Sequence, residues 1–401
     1  MKKLGMLTIF LISPLFLSAC WDSYELEERA NILGLAVDLG DMNEIDEIPK
    51  VTHIEGETPA SVEDTIYKVT AQIAVPGKIK LGPEGGTGEG SEKTAWVLET
   101  YGHTMKDALA NMQQQLAEKL YLGHLQIIVV SEDIAKQGII DISDYLRRDI
   151  EVRRTAWMII SEGDAHSVLK VAPPIETVPA LYLAETLNNA VRFGKLPEEY
   201  LGKFWINLSD IGVDAILPIV KPINNDRIFV SGLSYFKEEK MAGTMLPLEI
   251  GAYLAMIGEA KGGYSFMVSL DEAVYILNSD KRRSDIQVDV QNGTPTAAID
   301  IHIDSELDEE INDGRLDEKK IKEIEKEANA FLEKDVLLNL IKRLQDDQSD
   351  ILGIGARIRA EYSDYWKREV KTTEQWKKIY KEMNIKVNIH TQIRRTGMEW
   401  D

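Results

Sequence analysis

Cys20 is the only cysteine in the chain, and its setting suits one kind of chemistry. It closes the run Leu17-Ser18-Ala19-Cys20 and is followed by Trp21-Asp22. A thiol placed directly behind small and aliphatic residues and a short apolar run has the form of a bacterial lipoprotein cleavage site. There the leader is cut before the cysteine and the thiol receives a diacylglycerol. Cys20 is therefore the expected lipid-attachment residue, and no intramolecular disulfide is available to the rest of the chain. Plain secretion with an unmodified, buried Cys20, or an uncleaved helix, are the alternatives to this reading.

Other chemistries lack their residues. The six histidines, His53, His103, His124, His166, His302 and His390, show no pair at metal-ligand spacing, and with one thiol a zinc site is not expected. There is no Gly-x-Ser-x-Gly, no His-Glu-x-x-His and no Gly-x-Gly-x-x-Gly behind a strand. The glycine-rich stretch Gly82 to Gly90 lacks the Gly-Lys-Ser/Thr ending of a phosphate loop, and its two glutamates would repel phosphate. His124, at an expected helix-to-strand corner, reads as a structural hydrogen-bonding residue. No catalytic residue, metal or cofactor is expected, and the ligand-binding residues are unknown.

The elements around Cys20 fit the lipidation reading. Lys2 and Lys3 form a basic start, and Leu7 to Leu17 an apolar core shorter than the ~20 residues a bilayer span needs. One acyl chain binds membranes marginally and two hold stably, so a diacylglyceryl cysteine anchors without a spanning helix. Removing residues 1–19 takes away two lysines and no acid, moving the net charge from −21 to −23. So acidic a body argues against nucleic acid and against a polybasic lipid-binding patch.

Downstream, the patterning alternates strands and helices. Ile32 to Asp38 is a buried strand, Gly40 to Pro59 a loop, and Tyr67 to Val75 alternates with the period of a half-buried strand. Thr94 to Tyr101 is another strand. Thr104 then caps a helix carrying Met105, Ala108, Leu109, Met112 and Leu116 on one face. Gln126 to Val130 and Trp157 to Ile160 are short strands separated by a helix around Ile142 to Arg147. Glu176 to Val191 is a helix ending at Gly194. Pro197, Pro218 and Pro222 mark 195–225 as a domain junction.

Beyond it come a hairpin (Ile228 to Phe236 and Lys240 to Leu246) and a helix opened by Pro247. Strands follow at Tyr264 to Leu270, Ala273 to Leu277 and Asp285 to Val290. Asn292-Gly293 is a hairpin turn leading into Ala297 to Ile303. The longest helix spans Asp317 to Leu344, with Ile321, Ile324, Ala328, Phe331, Leu338 and Ile341 as its stripe and an interruption near Asp335. Shorter helices at Ile351 to Glu361 and Thr373 to Met383 precede a final strand over Ile385 to Ile393.

The expected fold class is α+β, multi-domain, with mixed sheets packed with helices and the long C-terminal helix on a sheet. The divisions are a signal peptide (1–19), an N-terminal α/β-type domain (20–200), a middle domain (201–280) and a C-terminal α+β domain (281–401).

Four stretches together resemble a known family. They are Cys20-Trp21-Asp22 with Glu25-Leu26 and Leu33-Gly34-Leu35-Ala36-Val37-Asp38; Leu120 to Gln126, continuing to Arg147 to Arg153; Val230 to Phe236 with Lys237 and Lys240; and Ser349 to Gly355 with Trp366 and the closing Ile393 to Gly397. In this order they resemble the Ger(x)C family, the lipoprotein C subunits of spore nutrient germinant receptors. The resemblance implies three α+β domains tied by lipid to the outer face of the spore inner membrane. It also implies a complex with integral-membrane A and B subunits. Only Cys20 carries over as a functional position. The acidic insertion from Asp41 to Glu57 departs from the family pattern. The reading is thus a non-enzymatic, membrane-tethered receptor subunit acting in assembly and germination signalling. Its rivals are a solute-binding lipoprotein that captures the germinant itself and an envelope enzyme such as a cortex hydrolase.

Overall fold

The computed structural model describes residues 29–41, 51–54, 65–75 and 94–395, apart from residues 172, 174, 175, 177, 225 and 313–315. Cys20, the leader and the glycine-rich stretch lie outside the described residues. The chain builds two sheets joined through one buried helix.

The first sheet takes β1 (Arg29–Leu39), β2 (Tyr67–Ala74), β3 (Ala95–Gly102), β4 (Lys119–Tyr121), β5 (Ile127–Ser131), β6 (Trp157–Ser161), β7 (Ile216–Ile223), β8 (Arg227–Lys237) and β9 (Lys240–Met245). Its order is β3-β2-β1-β5-β6-β7-β8-β9, with β4 pairing beside β1. The centre, β1-β5-β6-β7, is parallel and the flanks are antiparallel. Both faces of the centre are buried, which is why β1, β5 and β6 read as unbroken apolar runs rather than alternating ones. One face packs on α1 (Met105–Gln113), α2 (Glu132–Gln137), α3 (Ile140–Arg148) and a later helix, Leu201–Ser209. The other meets α4 (Ala165–Val168) and α5 (Pro179–Arg192). Leu201–Ser209 is α6.

Residues 195–225, expected as a domain junction, hold α6 and β7, and β7 runs inside the sheet with Pro218 and Pro222 in it. The backbone explains how. The Val220 carbonyl accepts the Glu162 N–H from the β6 side, so Pro218 and Pro222 turn their missing donors to that side too. There β6 pairs only with Ile219 and Val220, and no ladder bond is lost. Residues 201–280 divide between the two sheets, β7 to β9 in the first and the start of the next hairpin in the second. His124 lies between two strands, β4 and β5, rather than after a helix.

The second sheet is β10 (Ser265–Leu270), β11 (Ala273–Gln291), β12 (Thr294–Ile311) and β13 (Asn384–Arg395), in that order. The two segments read separately as Ala273 to Leu277 and Asp285 to Val290 are one strand of 19 residues. Asn292 and Gly293 both take positive φ, 52° and 80°, as the tight hairpin turn requires. One face of this sheet is buried and the other polar, so β13 alternates strictly: Ile385, Val387 and Ile389 inward, Lys386, Asn388 and His390 outward.

Between the sheets lies α7 (Pro247–Met256), whose residues Ile250 to Met256 are all buried. A helix apolar all round belongs in an interior. It joins the core on one face of the first sheet to that of the second, giving a single continuous cluster. The long helix follows as α8 (Glu318–Phe331), a π-helical turn over Leu332–Leu337, and α9 (Leu338–Asp347). The buried residues Ile324, Ala328 and Leu332 recur every four positions, a spacing that drifts around an α-helix. The wide turn absorbs that drift and returns Val336, Leu340, Ile341 and Leu344 to the core. Leu338, expected in the stripe, is turned outward by the same shift. The remaining elements are α10 (Ile354–Glu361), α11 (Ser363–Tyr365) continuing into a second π-helical turn, and α12 (Thr373–Glu382).

Candidate interaction surfaces

The stretches that carry the family resemblance mostly form joints. Asp38 ends β1 with its side chain buried. Its two carboxylate oxygens accept the N–H groups of Ala165 (2.6 Å) and His166 (2.9 Å), tying β1 to the start of α4. Burial pushes this carboxyl up, against the pull of those two donors. Asp38, Asp164 and His166 offer atoms within 4.8 Å of one another, a grouping invisible to sequence spacing. Both Asp38 oxygens are already engaged by the backbone, so the cluster is accounted for as a cap. Gly34, in the same stretch, lets α5 approach: a Cβ there would lie 3.0 Å from Ala180 Cβ.

The strongest joint links the two lobes. Asp350 is 1% exposed. Its carboxylate accepts N–H groups from Ile354 (3.1 Å), Gly355 (2.7 Å) and the Trp376 indole (3.2 Å). Its backbone N–H donates to Asp214 (2.8 Å), and its carbonyl accepts the Asp214 N–H (2.9 Å). Lys377, itself buried, sits 3.6 Å from Asp214 and 3.3 Å from Glu238. Ser349 donates to the Phe236 carbonyl (2.6 Å), and the Tyr235 hydroxyl to Asp347 (2.5 Å). Arg359 and Asp210 close the rim at 2.6 Å. Burial and the neighbouring Asp214 raise Asp350 to about 7, and burial raises Asp214 despite Lys377. A buried acid with a shifted pKa can mark a catalytic group. Here every oxygen is spent on protein donors, so the shift comes with a structural role. Gly355 is required by close approach, since a Cβ would come within 2.6 Å of the Trp376 ring.

Arg282 is a second clasp. It is 2% exposed and donates to the carbonyls of Gly194, Lys261, Glu259 and Gly251. Gly194 follows α5 of the first lobe, and the other three flank or belong to α7. Burial lowers its pKa to about 10.

An open groove of ≈520 Å³ lies between α1 and α3. Leu109, Leu120 and Leu122 floor it, Lys106, Lys119 and Arg148 edge it, and Ile150 stands at its mouth. Burial and Asp149 raise the Tyr145 hydroxyl of this groove, and the neighbouring Asp144 raises the exposed Arg148 guanidinium at its edge. It thus presents a surface groove rather than an enclosed cleft with a tuned acid or base. The corner at its foot is packed by Tyr121, with the Arg29 guanidinium 4.5 Å above its ring and His124 at 5.7 Å. Sequence spacing also missed two histidine contacts, His53 with His103 (5.4 Å) and His302 with His390 (5.0 Å). The second pair stands on the polar face of β12 and β13, beside Arg283 and Arg394.

Two lobes of this topology, clasped at Asp350 and Arg282, define a class. The chain matches the family described as "Spore germination protein N-terminal domain" over residues 22–222. It matches "Spore germination B3/ GerAC like, C-terminal" over residues 231–397. It belongs to the GerAC-type spore germination family. Its relatives include spore germination protein KC of Bacillus subtilis (strain 168), 24% identical over 99% of this chain and 97% of that protein. Spore germination protein GerQC of Bacillus cereus is 24% identical over 84% of this chain and 92% of its own. Among solved structures, that titled "Crystal Structure of the GerBC protein" superposes with a TM-score of 0.56 at 19% identity, covering 90% of this chain and 98% of that one. The fold is shared; at that identity the likeness says nothing further.

Proposed function

We propose that this protein is the lipid-anchored C-type subunit of a spore nutrient germinant receptor. It acts in receptor assembly and germination signalling through its surfaces and not as an enzyme. The observation that carries the reading is the family match along nearly the whole chain, from residue 22 to residue 397. Cys20 is the attachment point, and the partners are integral-membrane A and B subunits at the outer face of the spore inner membrane. Among the described residues no helix is long and apolar enough to cross a membrane; in this reading a diacylglyceryl Cys20 is the anchor. The buried acids with a raised pKa each have protein partners: Asp350 and Asp214 in the lobe joint, Asp38 at the start of α4, and Glu199 on Lys203 and Asn207. Spores lacking the protein should lose the response to the matching nutrient and keep the response to triggers that bypass receptors. Calorimetry of residues 22–401 against amino acids and sugars should show no saturable binding. Saturation at germinating concentrations would favour capture of the germinant by this chain instead.

A further inference from the structure

The net charge of −21 conceals a local reversal of sign. Between Arg147 and Arg154 the chain carries Arg147, Arg148, Arg153 and Arg154, all exposed, against Asp149 and Glu151, and of the four Arg148 is paired with Asp144 one turn back at 2.6 Å. Asp149 accepts the Glu151 N–H (2.9 Å) and Glu151 accepts the Leu122 N–H (3.0 Å), bonds that fix both carboxylates in place and leave the stretch with two more positive than negative charges. Ile150, between them, is 99% exposed. Lys106 and Lys119 edge the same groove.

A single exposed isoleucine is ordinary; the position of this one is not. Strands β1, β4, β5 and β6 are parallel and in register, Asn31 beside Tyr121 and Gly34 beside Ile127 beside Trp157. They begin at one end of the sheet, and the loop that carries Ile150 leads into β6 at that end. The chain from Cys20 enters β1 there at Arg29. Nine residue steps reach at most roughly 32 Å when fully extended.

We infer that this end of the first lobe, with Ile150 and the surrounding arginines, rests on the anionic headgroup surface of the membrane. The inference depends on the lipid-anchor reading and adds an orientation to it. Each basic side chain near an anionic surface gains roughly fivefold in partition. The acidic remainder of the body is repelled by the same surface, so this end turns down. Ile150 then enters the interfacial layer between headgroups and acyl chains.

The test uses the full-length lipidated protein. Acylation consumes the only natural thiol, so Ile150→Cys supplies one site for an environment-sensitive fluorophore. Met267→Cys, 66% exposed on β10, is the control site. Both variants are placed on vesicles of phosphatidylglycerol or of phosphatidylcholine carrying an acyl-chain quencher. The expected result is strong quenching at position 150 and little at position 267 in phosphatidylglycerol. It should be lost in phosphatidylcholine, in about 0.5 M salt where screening is nearly complete, and in an Arg153→Glu/Arg154→Glu background. Protein that floats with the vesicles while the label at 150 stays in water overturns the inference and leaves the anchor intact. Position 150 shielded from an aqueous thiol reagent in spore membranes, yet unquenched in protein-free vesicles, overturns it in favour of a protein partner. Protein that does not float at all overturns the anchor reading, and the inference with it.

Discussion

Asp350→Asn should change the way stability depends on pH, and not only its size. In the native protein burial and Asp214 raise Asp350 from 3.8 to about 7. The folded state therefore holds a proton that the unfolded state gives up in the window between those values. Stability from this group is fully present below the unfolded value and lost as pH rises through about 7. About three pKa units at about 1.4 kcal/mol each give a loss on the order of 4 kcal/mol by pH 8. An asparagine carries no such slope. It turns its amide toward Ile354 or toward Gly355 and Trp376, leaving at least one donor unmet, at roughly 1–3 kcal/mol. It also frees Asp214 from a like charge, which helps most at high pH. The variant should be less stable than the native chain near pH 4, by about 1–3 kcal/mol, should draw level as pH rises through 5 to 6, and should match or pass it by pH 8. Urea midpoints of residues 22–401 across this range read the difference directly. Glu199, raised by burial to about 7, slopes both proteins alike and cancels. Two parallel curves would refute the argument that Asp350 is protonated at the joint.

Cys20→Ala should leave a folded body that no longer sediments with membranes after a high-salt wash; retention would mean that partner contacts hold it. Arg282→Met should cost about 2–4 kcal/mol in denaturant unfolding, since it strands carbonyls from both lobes, and Arg282→Lys should not rescue it, because an ammonium lacks the forked donors. Deleting Asp335, exposed within the π-helical turn, should convert that turn to α-helix while keeping Leu340, Ile341 and Leu344 in the core. The cost should be about 1 kcal/mol, with circular dichroism unchanged; collapse of the helix signal would refute the reading of the turn as a one-residue insertion.

What the sequence made legible were elements held by local signals. Thr104 caps α1 as its type and position suggested, accepting the Asp107 N–H at 3.1 Å. Asn292-Gly293 made its hairpin, and the hydrophobic break near Asp335 marked the π-helical turn. What escaped were features set by distant partners. Pro218 and Pro222 argued against a central strand because nothing local says that β6 stops short beside them. Asp350 looked like one carboxylate among 67 until the fold placed it against Asp214, Trp376 and Gly355. The apolar character of α7 was visible, but not that it would join two cores.

The same distinction governs the electrostatics. A total of −23 for the mature chain argued against a basic lipid-facing patch, and as an average that argument is sound. Screening makes charge act over about 8–10 Å, so a membrane meets the nearest residues and not the sum. Arg147, Arg148, Arg153 and Arg154 gather positive charge at the end of the first sheet where β1 begins. The continuous core through α7 and the clasps at Asp350 and Arg282 then give the patch leverage. With the lobes joined as one body, fixing the first lobe on the membrane also fixes the polar face of the second sheet, with His302, His390, Arg283 and Arg394. Mutations that loosen the joint should therefore disturb germination even where the isolated lobes stay folded, because they uncouple that face from the membrane end.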